Sequence, residues 1–165
     1  LIAFTMIGFT LYLGSMDRER LSQGCRKIRR QIAVFQNSCV RQKWNCIIQY
    51  DLTEDPGNLS AGSRVYARYI KQGGDRSLYA AEDLTPFSLP ERVRIVCVSL
   101  DPYRTYYNGT VSVSIRKDGW ITPHLIYLGV ENEDGVADKV YTLEVMPLTG
   151  AVNIYTEEIG WEDLD

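Results

Sequence analysis

No proline interrupts residues 1 to 43 of this 165-residue chain, and the side chains along that stretch are arranged for a helix. A proline in a helix interior costs ~3 kcal/mol, so its absence over so long a run is permissive. Leu1 to Gly14 carries no charge, and then Asp17-Arg18-Glu19-Arg20 begins abruptly. Beyond it, Leu21, Cys25, Ile28, Ile32, Phe35 and Cys39 recur at steps of four, three, four, three and four. That spacing lines one face of an α-helix, while Arg26, Lys27, Arg29, Arg30 and Gln31 fall around the other sides. A coiled coil would need the seam sustained over about three to four heptads, and it is shorter. The pattern predicts one long rod, apolar for its first third and amphipathic for the rest, with the seam resting on a sheet.

The apolar third admits three readings. As a helix, Leu1–Gly14 spans about 21 Å, short of the ~30 Å hydrocarbon core of a bilayer. A signal-peptide core would put its basic flank before the apolar run; here the basic residues follow it. A helix apolar on every face needs a larger protein around it than this one. The third reading, adopted here, is a membrane helix whose first turns precede Leu1. Leu1, Ile2, Phe4, Ile7, Phe9, Leu11 and Leu13 would then face lipid or a filament core, with Gly8 and Gly14 allowing close helix approach. The expected division is a membrane or filament-core helix over 1–14, an amphipathic helix over 15–43 and a β head over 44–165.

Charge is divided along the same lines. From Asp17 to Lys43 there are eight basic residues against two acids, a net +6, in a chain whose total is −3. The remainder is therefore −9, and a basic rod feeding an acidic head suits packing between copies. Arg26, Lys27, Arg29 and Arg30 are the candidate subunit-contact residues. Nucleic acid is not expected as a partner, because these positives alternate with an apolar stripe that a fold would bury.

Past the rod the pattern changes to strands. Eleven tyrosines suit a half-buried pleated surface. Trp44–Leu52, Arg64–Ile70, Arg92–Leu100, Thr110–Arg116, His124–Val130, Lys139–Val145 and Ala151–Tyr155 are strand candidates. Val111, Val113 and Ile115 alternate with serines and Arg116, as on a sheet with one wet face. Lys117-Asp118-Gly119 and Leu148-Thr149-Gly150 offer glycine where tight links need positive φ, so both predict antiparallel neighbours. Asp55-Pro56-Gly57-Asn58 marks a loop, and the acidic tail from Glu157 is expected to be exposed or frayed. The fold class is α+β: a long N-terminal helix packed on an antiparallel sheet or β-sandwich head.

Reactive chemistry is sparse. The four cysteines, Cys25, Cys39, Cys46 and Cys97, show no C-x-x-C spacing. Cys25 and Cys39 stand about 21 Å apart along one helix and cannot bond within a molecule. Cys46 and Cys97 could pair as a disulfide if their strands are neighbours, or serve as small buried hydrophobes. The single histidine, His124, opens a strand without a catalytic motif around it and reads as structural. No nucleophile elbow, phosphate loop or zinc-protease pattern occurs, and Gly73-Gly74-Asp75 lacks the lysine and helix of a phosphate cradle. Glu131-Asn132-Glu133-Asp134-Gly135 lacks the ligand spacing of a calcium loop and reads as a solvated turn. Asn58-Leu59-Ser60 and Asn108-Gly109-Thr110 match the glycosylation acceptor pattern, which chance supplies often. No catalytic residue, metal ligand, cofactor or small-molecule substrate is assigned.

This layout resembles the type IV pilin and pseudopilin superfamily. The helix-to-strand joint from Gln36 to Asp51, with Cys39-Val40 closing the helix and Asp51 ending the strand, is similar to the H-type minor pseudopilins of type II secretion and related minor pilins. Asp118-Gly119-Trp120, Pro123, Tyr141–Val145 and Pro147–Val152 are similar to the C-terminal hairpins of those subunits, and Pro86–Ile95 to the approach to a middle strand. The family's mature start, Phe-Thr-Leu-Ile-Glu, is absent: Phe4-Thr5-Met6-Ile7-Gly8 has glycine in place of the glutamate. On this reading about ten residues precede Leu1, enough to complete a span.

The resemblance implies a non-enzymatic filament subunit without a cofactor, anchored once in the bacterial inner membrane with its head in the periplasm or on an extracytoplasmic filament. Its partners would be other pilin or pseudopilin subunits and the inner-membrane assembly platform. The alternatives are a membrane-tethered binding module for a ligand or DNA that never polymerises, and an enzyme whose acids are unmarked in the sequence.

Overall fold

The computed structural model describes residues 2–52, 64–70, 78–79, 87–131 and 137–164, and along 2–13 the path of the backbone. The Asp55–Asn58 loop, Asn58-Leu59-Ser60, Gly73-Gly74-Asp75, the loop at 132–136, Pro86 and Leu1 lie outside the described residues.

The proline-free stretch forms one α-helix, α1 (Ile2–Gln42), of 41 residues and about 60 Å in length. It stops by a capping motif rather than by a breaker. Lys43 takes the left-handed conformation (φ 56°). Its N–H donates to the Val40 carbonyl and that of Trp44 to the Cys39 carbonyl, at 3.3 and 3.2 Å. These two bonds satisfy carbonyls that the last turn would otherwise leave without donors. The chain reverses there and enters the sheets.

Among the described residues ten strands follow: β1 (Cys46–Asp51), β2 (Arg64–Ile70), β3 (Leu78–Tyr79), β4 (Phe87–Ser88), β5 (Val93–Asp101), β6 (Arg104–Tyr106), β7 (Thr110–Ile115), β8 (His124–Glu131), β9 (Ala137–Val145) and β10 (Val152–Tyr155). They make two five-stranded sheets. The first runs β3-β2-β1-β7, with β4 also on β2, and the second β10-β9-β8-β5-β6. All named pairings are antiparallel.

Every strand candidate from the sequence has its counterpart here. One inferred connection does not. Gly150 (φ 61°) turns β9 into its partner β10, as expected. Gly119 (φ 91°) also turns, but β7 and β8 belong to different sheets; the turn brings only Ile121, ahead of β8, back to Ile115 in an isolated bridge. The chain there changes layers, because both faces of the main core need strands from this segment.

That core is continuous. It holds the α1 seam, the inner residues of β1 and β7 (Cys46, Ile48, Tyr50, Val111, Val113, Ile115) and those of the second sheet (Val93, Ile95, Val98, Ile126, Leu128, Leu143). A register shift in β5 between Ile95 and Cys97 turns Cys97 to the opposite face. There Cys97, Leu125 and Tyr127 form a second, smaller cluster, covered by Trp161 and Leu164.

Of the tail expected to be exposed or frayed, the acids from Glu157 to Asp163 are exposed, but the segment as far as Leu164 is docked and not frayed. Tyr127 donates to the Ile159 carbonyl (2.9 Å), and the Thr142 hydroxyl donates to the Glu157 carbonyl (2.8 Å) while accepting from the Ile159 N–H (3.1 Å). The Trp161 indole N–H donates to Ser99 Oγ at 2.8 Å. Glu157, Glu158, Glu162 and Asp163 are exposed to water.

Candidate assembly surfaces

The helix divides cleanly by face. Leu21, Cys25, Ile28, Ile32, Phe35 and Cys39 are all buried, against β5, β8 and β9 in the sheet beneath. Gly24 lies on the same face. A Cβ there would meet Val93 Cγ1 at 3.1 Å and Leu128 Cδ2 at 3.3 Å, so glycine lets the rod settle against the sheet. Pattern reading misses this residue, since glycine within a helical run carries no hydrophobic signal.

Near its C-terminal end, α1 is pinned by both turns. The Gln36 amide donates to the Gly119 carbonyl at 2.6 Å. A Cβ on Gly150 would fall 2.1 Å from Gln36 Oε1. At the other end of the head, Lys139 Nζ of β9 donates to the Gly14 carbonyl at 3.4 Å. Contact with the head is thus described from Gly14 to the end of the helix. The backbone of α1 continues for the twelve residues Ile2–Leu13 beyond that contact, about 18 Å. Ile2, Phe4, Ile7, Gly8, Phe9, Leu11 and Leu13 belong to that stretch. Among the described residues no helix is long and apolar enough to cross a membrane.

The outward face is basic and exposed. Arg26 bonds Glu19 at 2.9 Å. Lys27 donates to the Ser88 carbonyl at 2.6 Å and lies over the Phe87 ring. The side chains of Arg29 and Arg30 make no hydrogen bond or ion pair among the described residues; Val34, one turn on from Arg30, is exposed, as is Val40 near the end of the helix.

The chemically active side chains are all enclosed. Cys46 and Cys97 do not form a disulfide: each is a free thiol, and they lie in different sheets and different apolar clusters. Cys25 and Cys39 are buried too, and neither is in a disulfide. Burial pushes the thiols of Cys25 and Cys97 up to about 12, so neither is a thiolate at neutral pH.

His124 is fully enclosed. Its Nδ1 lies 2.7 Å from the Thr122 carbonyl, which can only accept, so Nδ1 carries the proton. Nε2 is then bare and accepts from the Tyr50 hydroxyl at 2.8 Å. Burial depresses the imidazole to about 4 and raises the Tyr50 phenol. The pair joins β1 of one sheet to β8 of the other and is sealed from substrate. Among the described residues no group of three or more His, Cys, Asp or Glu is placed to hold a metal ion.

A long helix with one face under a two-sheet head, and a buried cross-sheet core, is an arrangement found in solved structures. The minor pseudopilin EpsH from the type 2 secretion system of Vibrio cholerae superposes with a TM-score of 0.62, over 86% of this chain and 99% of that one, at 7% identity. A second structure of that pseudopilin gives 0.58, over 81% and 94%, again at 7% identity. This chain has a pseudopilin fold. The type IV minor pilin FimU from Pseudomonas aeruginosa is a more distant likeness, with a TM-score of 0.46 at 12% identity over 86% of this chain and 90% of that one. No family profile matches the chain, and no curated protein matches it in sequence.

Proposed function

We propose that this chain is a minor pseudopilin or minor pilin, a structural subunit of a pilus-like filament serving protein secretion or pilus assembly. The observation that carries the proposal is the division of α1. One face is buried under the head from Leu21 to Cys39, and the same helix includes the uncharged residues Ile2–Leu13. A continuous apolar surface of that kind is not left in water by soluble monomers. On this reading 1–14 serves membrane and filament core, 15–43 carries the head, and 44–165 is the head itself. The helix anchors the subunit in the bacterial inner membrane and then packs among the helices of other pilin or pseudopilin subunits at the assembly platform. The head faces the periplasm or the filament exterior. The function is structural on this reading: His124, Tyr50 and the four cysteines are all buried within the head and under the helix.

Fractionation and cross-linking test this directly. The full chain should sediment with membranes, resist carbonate extraction and dissolve in detergent. An Arg30→Cys variant should form cross-links to sister pseudopilins in cells. Recovery in the membrane without any cross-link to a sister subunit would favour a tethered binding module instead. Release by carbonate would remove the anchor.

A further inference from the structure

We infer that the exposed basic face of α1 docks on the acidic C-terminal segment of a second copy of this chain. The inference deepens the subunit reading, which it presupposes only for the membrane setting.

Two surfaces of opposite sign stand on opposite sides of the second sheet. Residues 17–43 sum to +6, and Arg29 and Arg30, whose side chains make no hydrogen bond or ion pair among the described residues, are exposed on α1, Arg30 opposite the buried seam and Arg29 on its flank. The last 26 residues, 140–165, contain Glu144, Glu157, Glu158, Glu162, Asp163 and Asp165 and no lysine or arginine. They sum to −6. The part of this segment from Glu157 to Leu164 covers the outer cluster of Cys97, Leu125 and Tyr127, whereas α1 covers the inner face.

The two surfaces cannot neutralise one another within a molecule. A sheet and a helix separate them, about 20 Å from the two element thicknesses, against a Debye length of ~10 Å at 0.1 M salt. They can meet only between molecules, and because the two patches differ, the contact is head-to-tail and repeats. The acidic segment is also fixed in place, since Trp161, Tyr127 and Thr142 tie it to the sheet. Its carboxylates therefore present a formed surface rather than a mobile tail. Exposed Val34 and Val40 on the helix, and half-buried Ile159, Trp161 and Leu164 on the segment, supply apolar ground within each patch.

The test uses full-length protein in vesicles of zwitterionic phosphatidylcholine, which removes attraction to anionic lipid. Energy transfer between labelled copies reports association. Arg29→Glu with Arg30→Glu should lower association at least about tenfold, and Glu158→Lys with Glu162→Lys should do the same. Mixing these two variants should restore transfer, because each then offers the surface that the other lacks. Both variants should keep the wild-type circular dichroism, the changed residues being exposed. Association that ignores either reversal, or that mixing fails to restore, overturns the proposal. A chain that still cross-links to sister subunits yet shows no charge-dependent transfer also overturns it, and leaves the subunit reading standing.

Discussion

His124 sits where two layers meet, and its chemistry sets a pH limit on the fold. In water an imidazole titrates near 6.5; here burial holds it at about 4. Between those values the unfolded chain takes up a proton that the folded chain refuses. Stability is thus fully present above pH ~6.5 and falls as pH drops toward 4, by about 2 kcal/mol at pH 5 and ~3 kcal/mol in full. Thermal melts at pH 7 and pH 5 should show that loss. Replacing both partners, His124→Leu with Tyr50→Phe, should remove most of this difference, since no bare acceptor or donor is left behind. An equal pH slope in the double variant would mean other groups set the acid limit. The sequence marked His124 as structural from its lack of neighbours. It gave no sign of Tyr50, because 74 residues separate the two and only the stacking of the sheets joins them.

At the scale of the element, α1 makes two separable predictions. Its seam is buried, so Ile32→Asp places an unpaired carboxylate in the core and should cost several kcal/mol. Arg30→Ala, on the exposed face, should cost under about 1 kcal/mol. Matching melting temperatures for these two variants would contradict the buried seam. The cap is the second. Lys43 holds a left-handed φ of 56° that a side chain disfavours. Lys43→Gly should therefore stabilise by about 1 kcal/mol, or ~3 °C at this size, provided the cap bonds persist. A lower melting temperature would mean that the Lys43 side chain itself holds the joint.

The same element explains what was legible. A seam at helical spacing and strands such as Val111–Ile115 announce themselves through periodicity, which local sequence carries. Gly24 carries no such signal, and β6, with all three residues exposed, has no apolar alternation to read. The crossing of the chain between sheets after β7 depends on which core each face joins, a property of the assembled layers. The docking of the C-terminal segment was hidden for a related reason: its anchors are one indole and several backbone groups, set among carboxylates that dominate the composition.

Taken whole, the molecule has a head whose described contacts with α1 begin at Gly14 and whose core begins at Leu21. Residues before that point contribute nothing described to the core. A chain beginning at Asp17 would lose the long hydrogen bond from Lys139 to Gly14, at 3.4 Å. That long, part-buried contact is worth about 1 kcal/mol. The seam from Leu21 to Cys39, the cap at Lys43 and both sheets would be intact. Such a fragment should remain monomeric in buffer without detergent, melt cooperatively and give a far-ultraviolet circular dichroism spectrum with a strong strand component beside its remaining helix. The full chain should need lipid or detergent, since its uncharged residues Leu1–Gly14 have no polar face to offer water. Analytical ultracentrifugation of both proteins, with and without detergent, compares them directly. If the fragment aggregates while the full chain is monomeric in plain buffer, the first fourteen residues belong to the head's own core, and the anchoring role proposed for them is lost.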